Sequence, residues 1–229
     1  TGGGKSICFQ VPALMQDGIC LVITPLIALM QDQVKQLKQR GIPAVAVHAG
    51  MHHREIDITL DNCVYGQLKF LYLSPERLQT ELFKARVKKM KVNLVAIDEA
   101  HCISQWGYDF RPPYLKIAEL RSIHPDVPFI ALTASATAQV KADIIDKLQM
   151  QQPAVFQKSF ARDNLSLVIR KSELKEKKLL EVLRKVPGPA IVYVRSRKAT
   201  VVLATFLKKN SISATFYHAG LTHAERTSR

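Results

Sequence analysis

The feature that most restricts the fold of this chain is a repeated alternation of short apolar runs with longer helical patterns. Nearly continuous apolar runs occur at residues 19–24, 44–48, 69–73, 92–98 and 129–133. Such runs are typical of parallel strands that are covered on both faces. Between them the apolar residues have helical spacing, as at Met30, Val34 and Leu37, where Gly41 follows as a helix end. The alternation predicts an α/β fold of parallel sheets with helices on both faces.

A second α/β pattern begins after Pro153, which interrupts the helical spacing. Further strands are predicted at residues 165–170, 190–194 and 214–218, with helices between them. We therefore predict two domains, residues 1–158 and residues 159–229. The first is expected to be nearly complete except for an N-terminal segment. The second has too few strands for a sheet of ordinary size, and we expect it to be truncated.

The charge balance indicates the kind of partner. The chain has 33 Lys and Arg residues against 19 Asp and Glu residues, a net charge of +14. This excess favours a polyanion such as nucleic acid, although a solvated basic surface would give the same balance. The four cysteines form no C-x-x-C pair, so no zinc site is expected within these residues. The apolar runs are too short to cross a bilayer, and we expect a cytoplasmic protein without a membrane partner.

The chain opens with TGGGKS, followed by a helical run. Glycines allow successive backbone N–H groups to face one anion, and the helix N-terminus adds its dipole. Lys5 is predicted to reach the β- and γ-phosphates of ATP, and the Ser6 hydroxyl to bind Mg²⁺. A glycine-rich helix cap without a ligand is the structural alternative. The predicted phosphate-binding residues are Thr1, Gly2, Gly3, Gly4, Lys5 and Ser6.

The apolar run VNLVAID ends on two adjacent carboxylates, Asp98 and Glu99. Ligands bind at the carboxyl ends of parallel strands, so this pair is expected to face the phosphate loop. Asp98 is predicted to bind Mg²⁺ and Glu99 to polarise the attacking water. Taken alone, an Asp-Glu pair would more simply cap the turn after a strand. Together with TGGGKS it favours a magnesium-dependent ATPase.

Aromatic and polar side chains interleave directly after this carboxylate pair. Trp106 and Phe110 offer stacking faces for unpaired bases, and Gln105 and Arg111 offer polar contacts. Ordinary core packing is the alternative for Phe110 or Tyr114. Other predicted DNA-binding or coupling residues follow strands and precede helices, where plain helix capping would look similar: Thr24, Pro25, Ser74, Arg77, Ser135, Thr137 and Arg195.

Several ordered segments resemble the motifs of RecQ-family DNA helicases. Asp98-Glu99-Ala100-His101 is the DEAH form of the second helicase motif, and residues 100–114 resemble that family's aromatic-rich loop. Tyr108, Pro113 and Ser135 depart from the usual residues. The remaining similar segments are residues 21–34, 71–78, 131–137, 160–165, 190–200 and 217–226.

The resemblance implies an ATP-dependent DNA helicase with RecA-like lobes that moves 3′ to 5′ on single-stranded DNA in repair or recombination. It assigns His101 to coupling within the catalytic core and the aromatic-rich loop to coupling between DNA binding and ATP hydrolysis. Single-stranded and partly duplex DNA are the expected partners of a monomer, which would be associated with the nucleoid in a bacterium.

Two alternatives stay open at this point, a DEAH-type RNA helicase and a non-catalytic nucleic-acid-binding remnant. In the resembled family the arginine finger lies beyond the position of Arg229, and the chain begins inside the phosphate loop. We therefore expect these 229 residues to be an internal fragment that does not unwind DNA alone.

Overall fold

Five strands form one parallel sheet in the first part of the chain, with spatial order β2-β3-β1-β4-β5. The structure is a computed structural model that describes residues 4–107, 109–157 and 164–228. Each strand coincides with one of the five apolar runs, which confirms the predicted α/β class. The strands are β1 (Ile19–Ile23), β2 (Ala44–Val47), β3 (Phe70–Leu73), β4 (Val92–Ile97) and β5 (Phe129–Ala131).

Helices cover both faces of this sheet because successive strand residues point to opposite sides. In β1, Ile19, Leu21 and Ile23 join one apolar cluster, and Cys20 and Val22 join the other. One face is covered by α1 (Lys5–Leu14) and α2 (Ile27–Gln39). The opposite face is covered by α3 (His53–Tyr65), α4 (Glu81–Val87), α6 (Ala138–Lys147) and the 3₁₀ turn Pro112–Glu119. Short elements complete this part: 3₁₀ turns Pro75–Gln79 and Ala100–Ile103, and α5 (Leu120–Ile123).

The helix predicted around Met30 ends as the sequence indicates. Gly41 has φ of 73°, a left-handed conformation that glycine adopts without steric cost. Its N–H donates to the Lys38 carbonyl, and the Ile42 N–H donates to the Leu37 carbonyl, so two of the last carbonyls of α2 are satisfied. The buried side of α2 carries Met30, Val34 and Leu37 together with one polar residue, Gln33.

The strand order places the chemistry-bearing residues at one edge of the sheet. β1 lies in the centre, between β3 and β4, and the chain changes direction across the sheet there. Ligands of open α/β sheets bind outside the carboxyl ends of the strands at such a switch point. Thr24 follows β1 and Asp98 follows β4, and the Asp98 N–H donates to the Ile23 carbonyl (2.8 Å). The sheet therefore presents these two positions side by side.

The chain divides into two compact units, the first ending at Phe156 and the second beginning at Gln157. The described residues of the second unit, 164–228, contain α7 (Lys175–Lys185), α8 (Arg197–Lys209) and α9 (His223–Ser228), and none of them is in a strand. The strand predictions at residues 165–170, 190–194 and 214–218 are therefore wrong. An extended segment becomes a strand only when a neighbour pairs with its backbone, and here Ile191 and Tyr193 are 81% and 90% exposed.

None of the described helices is long and apolar enough to cross a membrane.

Candidate nucleotide and nucleic-acid site

The first helix begins at the carboxyl edge of the sheet. Gly4 precedes it with φ of 71°, in the left-handed region, and Lys5 is its first residue. The first N–H groups of a helix have no partner within the helix and carry the positive end of its dipole, an arrangement that suits a phosphate. Ser6 lies half-buried in this first turn. The predicted residues Thr1, Gly2 and Gly3 lie outside the described part of the chain.

The Lys5 ammonium lies between the two predicted carboxylates. Its Nζ is 3.0 Å from Glu99 Oε1 and 3.9 Å from Asp98 Oδ1. The lysine side chain is about a quarter exposed, and the Asp98 side chain is almost fully buried. The sequence prediction that the phosphate loop and the carboxylate pair face each other is therefore confirmed for these three residues. A metal ion would compete with this ammonium for the carboxylates, and a phosphate would compete with the carboxylates for the ammonium.

Asp98 is held tightly within this group. Its Oδ1 accepts the Glu99 N–H (2.9 Å), and its carbonyl accepts the Tyr114 hydroxyl (3.0 Å). Burial raises the pKa of the Asp98 carboxyl, while the Lys5 ammonium acts in the opposite direction. Glu99 has φ of 48°, which is unusual for a residue with a side chain and turns the backbone sharply after β4. The tight turn brings the second carboxylate back towards Lys5.

A buried polar chain behind Asp98 was not predicted from the sequence. The Gln33 side chain lies close enough to the Asp98 carboxylate to lower its pKa, and Gln33 Oε1 accepts the Tyr72 hydroxyl (3.0 Å). Gln10 Nε2 in turn lies 3.5 Å from the Tyr72 hydroxyl. All four side chains are buried, so each depends on these partners for its hydrogen bonds. Two features of the sequence could have indicated these buried polar contacts: a glutamine on the apolar side of α2 and a tyrosine within an apolar strand.

His101 connects the carboxylate pair to the segment after β5. Its Nδ1 lies 2.9 Å from Thr133 Oγ1 and 3.3 Å from Glu99 Oε2. With the Thr133 hydroxyl donating to the Ser135 carbonyl, its oxygen can accept a hydrogen bond from His101 Nδ1. Burial lowers the pKa of the imidazole, against the effect of the Glu99 carboxylate. A neutral imidazole at pH 7 fits a hydrogen-bonding role for this residue.

The oxygen ligands of this group suit Mg²⁺. Among residues 4–107, 109–157 and 164–228, no cluster of three or more His, Cys, Asp and Glu side chains is placed to hold a metal. Mg²⁺ is commonly bound by one or two protein oxygens, with water and phosphate completing six ligands, so it does not require such a cluster. A buried carboxylate whose pKa is raised by burial is a group that a cation stabilises. Asp98 and Ser6 are the residues that would hold the ion.

Among the described residues of the aromatic-rich segment, Trp106 is the ring most available for stacking. Trp106 is 75% exposed, Gln105 is exposed beside it, and Phe110 is half-buried. Tyr114 is fully buried, so core packing is the correct alternative for this ring. Tyr108 lies outside the described residues.

Arg111 has protein partners in this structure. Its Nη1 donates to the Pro25 carbonyl (3.2 Å), and its Nε donates to Asp109 Oδ2 (3.2 Å). These contacts fix the end of the aromatic-rich segment against the turn after β1. The predicted contact of this side chain with DNA stays a prediction, and it would have to compete with both partners.

The other predicted DNA-binding residues differ in accessibility. Thr24 is fully buried, and its hydroxyl has no hydrogen-bond partner among the described residues. Pro25 and Ser74 are buried, and Arg77 Nη2 donates to the His48 carbonyl (3.1 Å).

Ser135, Thr137 and Arg195 are exposed. The Thr137 hydroxyl accepts the Val140 N–H (3.3 Å) and so caps α6, the structural role that sequence reasoning left open.

Comparison with known proteins places this site in a family. The family described as DEAD/DEAH box helicase matches residues 1–144. The chain is 42% identical to the ATP-dependent DNA helicase RecQ of Pasteurella multocida over 99% of its length, and 43% identical to RecQ of Bacillus subtilis over 96%. It spans only 36% and 38% of those two proteins.

A likeness to solved structures concerns the fold alone. The crystal structure of the DUF1998 helicase MrfA aligns with the whole chain at a TM-score of 0.66 and 16% identity, and the chain covers 37% of that protein. A second structure of MrfA, bound to DNA and AMPPNP, aligns with 91% of the chain at a TM-score of 0.67. The chain belongs to the DEAD/DEAH box helicase family, and within it the sequence is similar to the RecQ helicases.

Proposed function

We propose that this chain is part of an ATP-dependent DNA helicase of RecQ type. The observation that carries the proposal is the grouping of Lys5 with Asp98 and Glu99 at the sheet edge. The exposed Trp106 follows these carboxylates closely in sequence. A nucleotide-hydrolysing site and a base-stacking surface are thus separated by one 3₁₀ turn, Ala100–Ile103. Similarity to RecQ proteins over nearly the whole chain supports the same proposal.

The chemistry follows from the three charged side chains. Lys5 exchanges Glu99 for the β- and γ-phosphates of ATP, which carry a larger negative charge. Glu99 is then free to orient the attacking water and to accept its proton. Asp98 and Ser6 would hold Mg²⁺, which would supply positive charge to the phosphate oxygens. Asp98 keeps its position through the Glu99 N–H, which donates to its Oδ1.

DNA is the proposed partner because stacking and charge act together. Trp106 presents an exposed ring to unpaired bases, and the net charge of +14 favours a phosphate backbone. Movement from 3′ to 5′ along single-stranded DNA, as a monomer acting on partly duplex DNA in repair or recombination, belongs to this proposal. So does the division into two RecA-like lobes, residues 1–158 and 159–229.

Strand displacement by the complete gene product tests this function. We expect Mg²⁺- and ATP-dependent separation of a duplex with a 3′ single-stranded DNA tail, and little separation with a 5′ tail. Lys5→Ala should abolish displacement, because the phosphates lose their charged partner. Lys38→Ala, at an exposed position of α2, is the matched control and should keep it.

The other outcomes identify the alternatives. Displacement of an RNA duplex in preference to a DNA duplex would indicate a DEAH-type RNA helicase. DNA binding without any ATP-dependent displacement would indicate a non-catalytic remnant. Residues 1–229 alone are expected not to displace a strand, since the described part of the second unit contains no paired strand.

A further inference from the structure

The 3₁₀ turn between the carboxylate pair and Trp106 is connected at both ends to the segment that follows β5. At its start, His101 Nδ1 lies 2.9 Å from Thr133 Oγ1. At its end, the Ser104 hydroxyl donates to Asp143 Oδ2 on α6 (2.5 Å). The first connection involves a residue of the nucleotide site. The second has no role in the chemistry proposed above.

Ser104 transmits the position of Asp143 to the backbone of Trp106. Its side chain is fully buried, and its Oγ accepts the Trp106 N–H (3.1 Å) while donating to Asp143. One hydroxyl is therefore used as both donor and acceptor. Its donated bond ends on a carboxylate, which makes it stronger than a bond between neutral groups.

Asp143 is itself held in place on α6. Its Oδ1 accepts a hydrogen bond from Gln139 Nε2 (3.4 Å) one turn earlier. Val140 and Ile144, on either side of it in the helix, are buried in the core. The carboxylate is thus a fixed point relative to the sheet, while the Trp106 ring is 75% exposed.

We propose that Asp143 is a positioning residue for DNA binding, which fixes the backbone of Trp106 through Ser104 so that its ring is presented to an unpaired base. This inference rests on the proposed function, because it assigns a DNA contact to Trp106. Asp143 contacts neither nucleotide nor DNA itself. It couples the position of the stacking surface to that of α6, whose N-cap Thr137 follows shortly after Thr133, the residue that contacts His101.

Fluorescence of Trp106 tests the proposal directly, since it is the only tryptophan in the chain. We expect Asp143→Ala to lower the steady-state anisotropy of Trp106 without DNA, and to weaken binding of single-stranded DNA about tenfold, the effect of losing one hydrogen bond to a charged group. Ser104→Ala should do the same. Asp143→Asn should stay close to the wild-type chain, because an amide oxygen still accepts the Ser104 hydroxyl.

Asp146→Ala is the matched control on the same helix, because it removes the same charge from an exposed position. It should leave both measurements unchanged. The double variant Ser104→Ala/Asp143→Ala should lose no more DNA affinity than either single variant, since both remove one connection. Equal anisotropy in Asp143→Ala and Asp146→Ala would overturn the proposal, as would additive losses in the double variant.

The two proposals fail in different ways. If the wild-type chain does not bind single-stranded DNA, the function assigned to Trp106 is wrong, and the anisotropy without DNA still decides whether Asp143 positions the loop. If Asp143→Ala does not fold, as judged by circular dichroism, Ser104→Ala and Asp143→Asn decide the outcome by themselves.

Discussion

The two carboxylates beside Lys5 have different surroundings, and this difference assigns them different roles. Asp98 is 5% exposed, and its carboxylate accepts the Glu99 N–H and lies beside the buried Gln33 side chain. The Glu99 carboxylate is more exposed and contacts Lys5 and His101, both of which are at the nucleotide site. A ligand of a metal ion benefits from a fixed position, whereas a group that activates water must be able to change partners. The geometry therefore supports Asp98 as the magnesium ligand and Glu99 as the base.

Substitution of Glu99 should separate nucleotide binding from hydrolysis. In the complete gene product, Glu99→Gln is expected to lower the ATP turnover number roughly 100- to 10,000-fold, the usual contribution of a general base. Binding of a fluorescent ATP analogue should persist, because Lys5, Ser6 and Asp98 are unchanged. Glu119→Gln, which alters an exposed carboxylate paired with Lys116, is the control and should hydrolyse ATP normally. Normal turnover in Glu99→Gln would show that another group activates water.

Among the secondary-structure elements, α6 is the helix whose side chains serve both stability and the proposed coupling. Thr137 caps the helix, His101 contacts Thr133 just before it, and Asp143 connects it to Ser104. Hydrogen bonds therefore connect α6 to the residues of the nucleotide and DNA sites. The buried side chains of Val140 and Ile144 pack the helix against the core.

Removal of the cap should destabilise the chain by a predictable amount. Thr137→Ala is expected to lower the free energy of unfolding by about 1 kcal/mol, because the Val140 N–H loses its acceptor. Thr137→Ser should keep most of this stability. Thr59→Ala is the control, since the Thr59 hydroxyl bonds to a carbonyl within α3 and alanine suits a helix interior. Urea denaturation followed by circular dichroism measures all three, and equal stability of Thr137→Ala and Thr59→Ala would contradict the capping role.

Sequence periodicity predicted the elements of the first unit well because each strand there packs against the apolar clusters on both faces of the sheet. The same reasoning failed at residues 190–194, where the pattern is equally apolar but Tyr193 is exposed and unpaired. Apolar content shows only that a segment can be a strand. Whether it becomes one depends on a hydrogen-bonding neighbour, which a single segment does not specify.

The nucleotide residues were predictable for a different reason. Lys5, Asp98 and Glu99 lie in short motifs whose residue types are dictated by phosphate and magnesium chemistry. Gln33, Tyr72 and Asp143 carry no such local signal. Ser104 and Asp143 are 39 positions apart, and only the packing of α6 against the 3₁₀ turn brings them together. Supporting residues of this kind depend on tertiary structure and were missed.

For the molecule as a whole, we expect base stacking on Trp106 and ATP hydrolysis at the nucleotide site of the first unit to be coupled. Lys5 and Glu99 lie at one end of the turn Ala100–Ile103, and Trp106 lies beyond the other end. A base that stacks on Trp106 is therefore connected to the carboxylates through Ser104 and His101. We therefore expect DNA binding to change the rate of ATP hydrolysis.

The most direct measurement is the rate of ATP hydrolysis by the complete gene product without nucleic acid, with single-stranded DNA and with single-stranded RNA. We expect DNA to raise the rate several-fold and RNA to raise it much less. Trp106→Ala should lose this stimulation while keeping the basal rate. A rate that is the same in all three conditions, or a full DNA response in Trp106→Ala, would contradict this expectation.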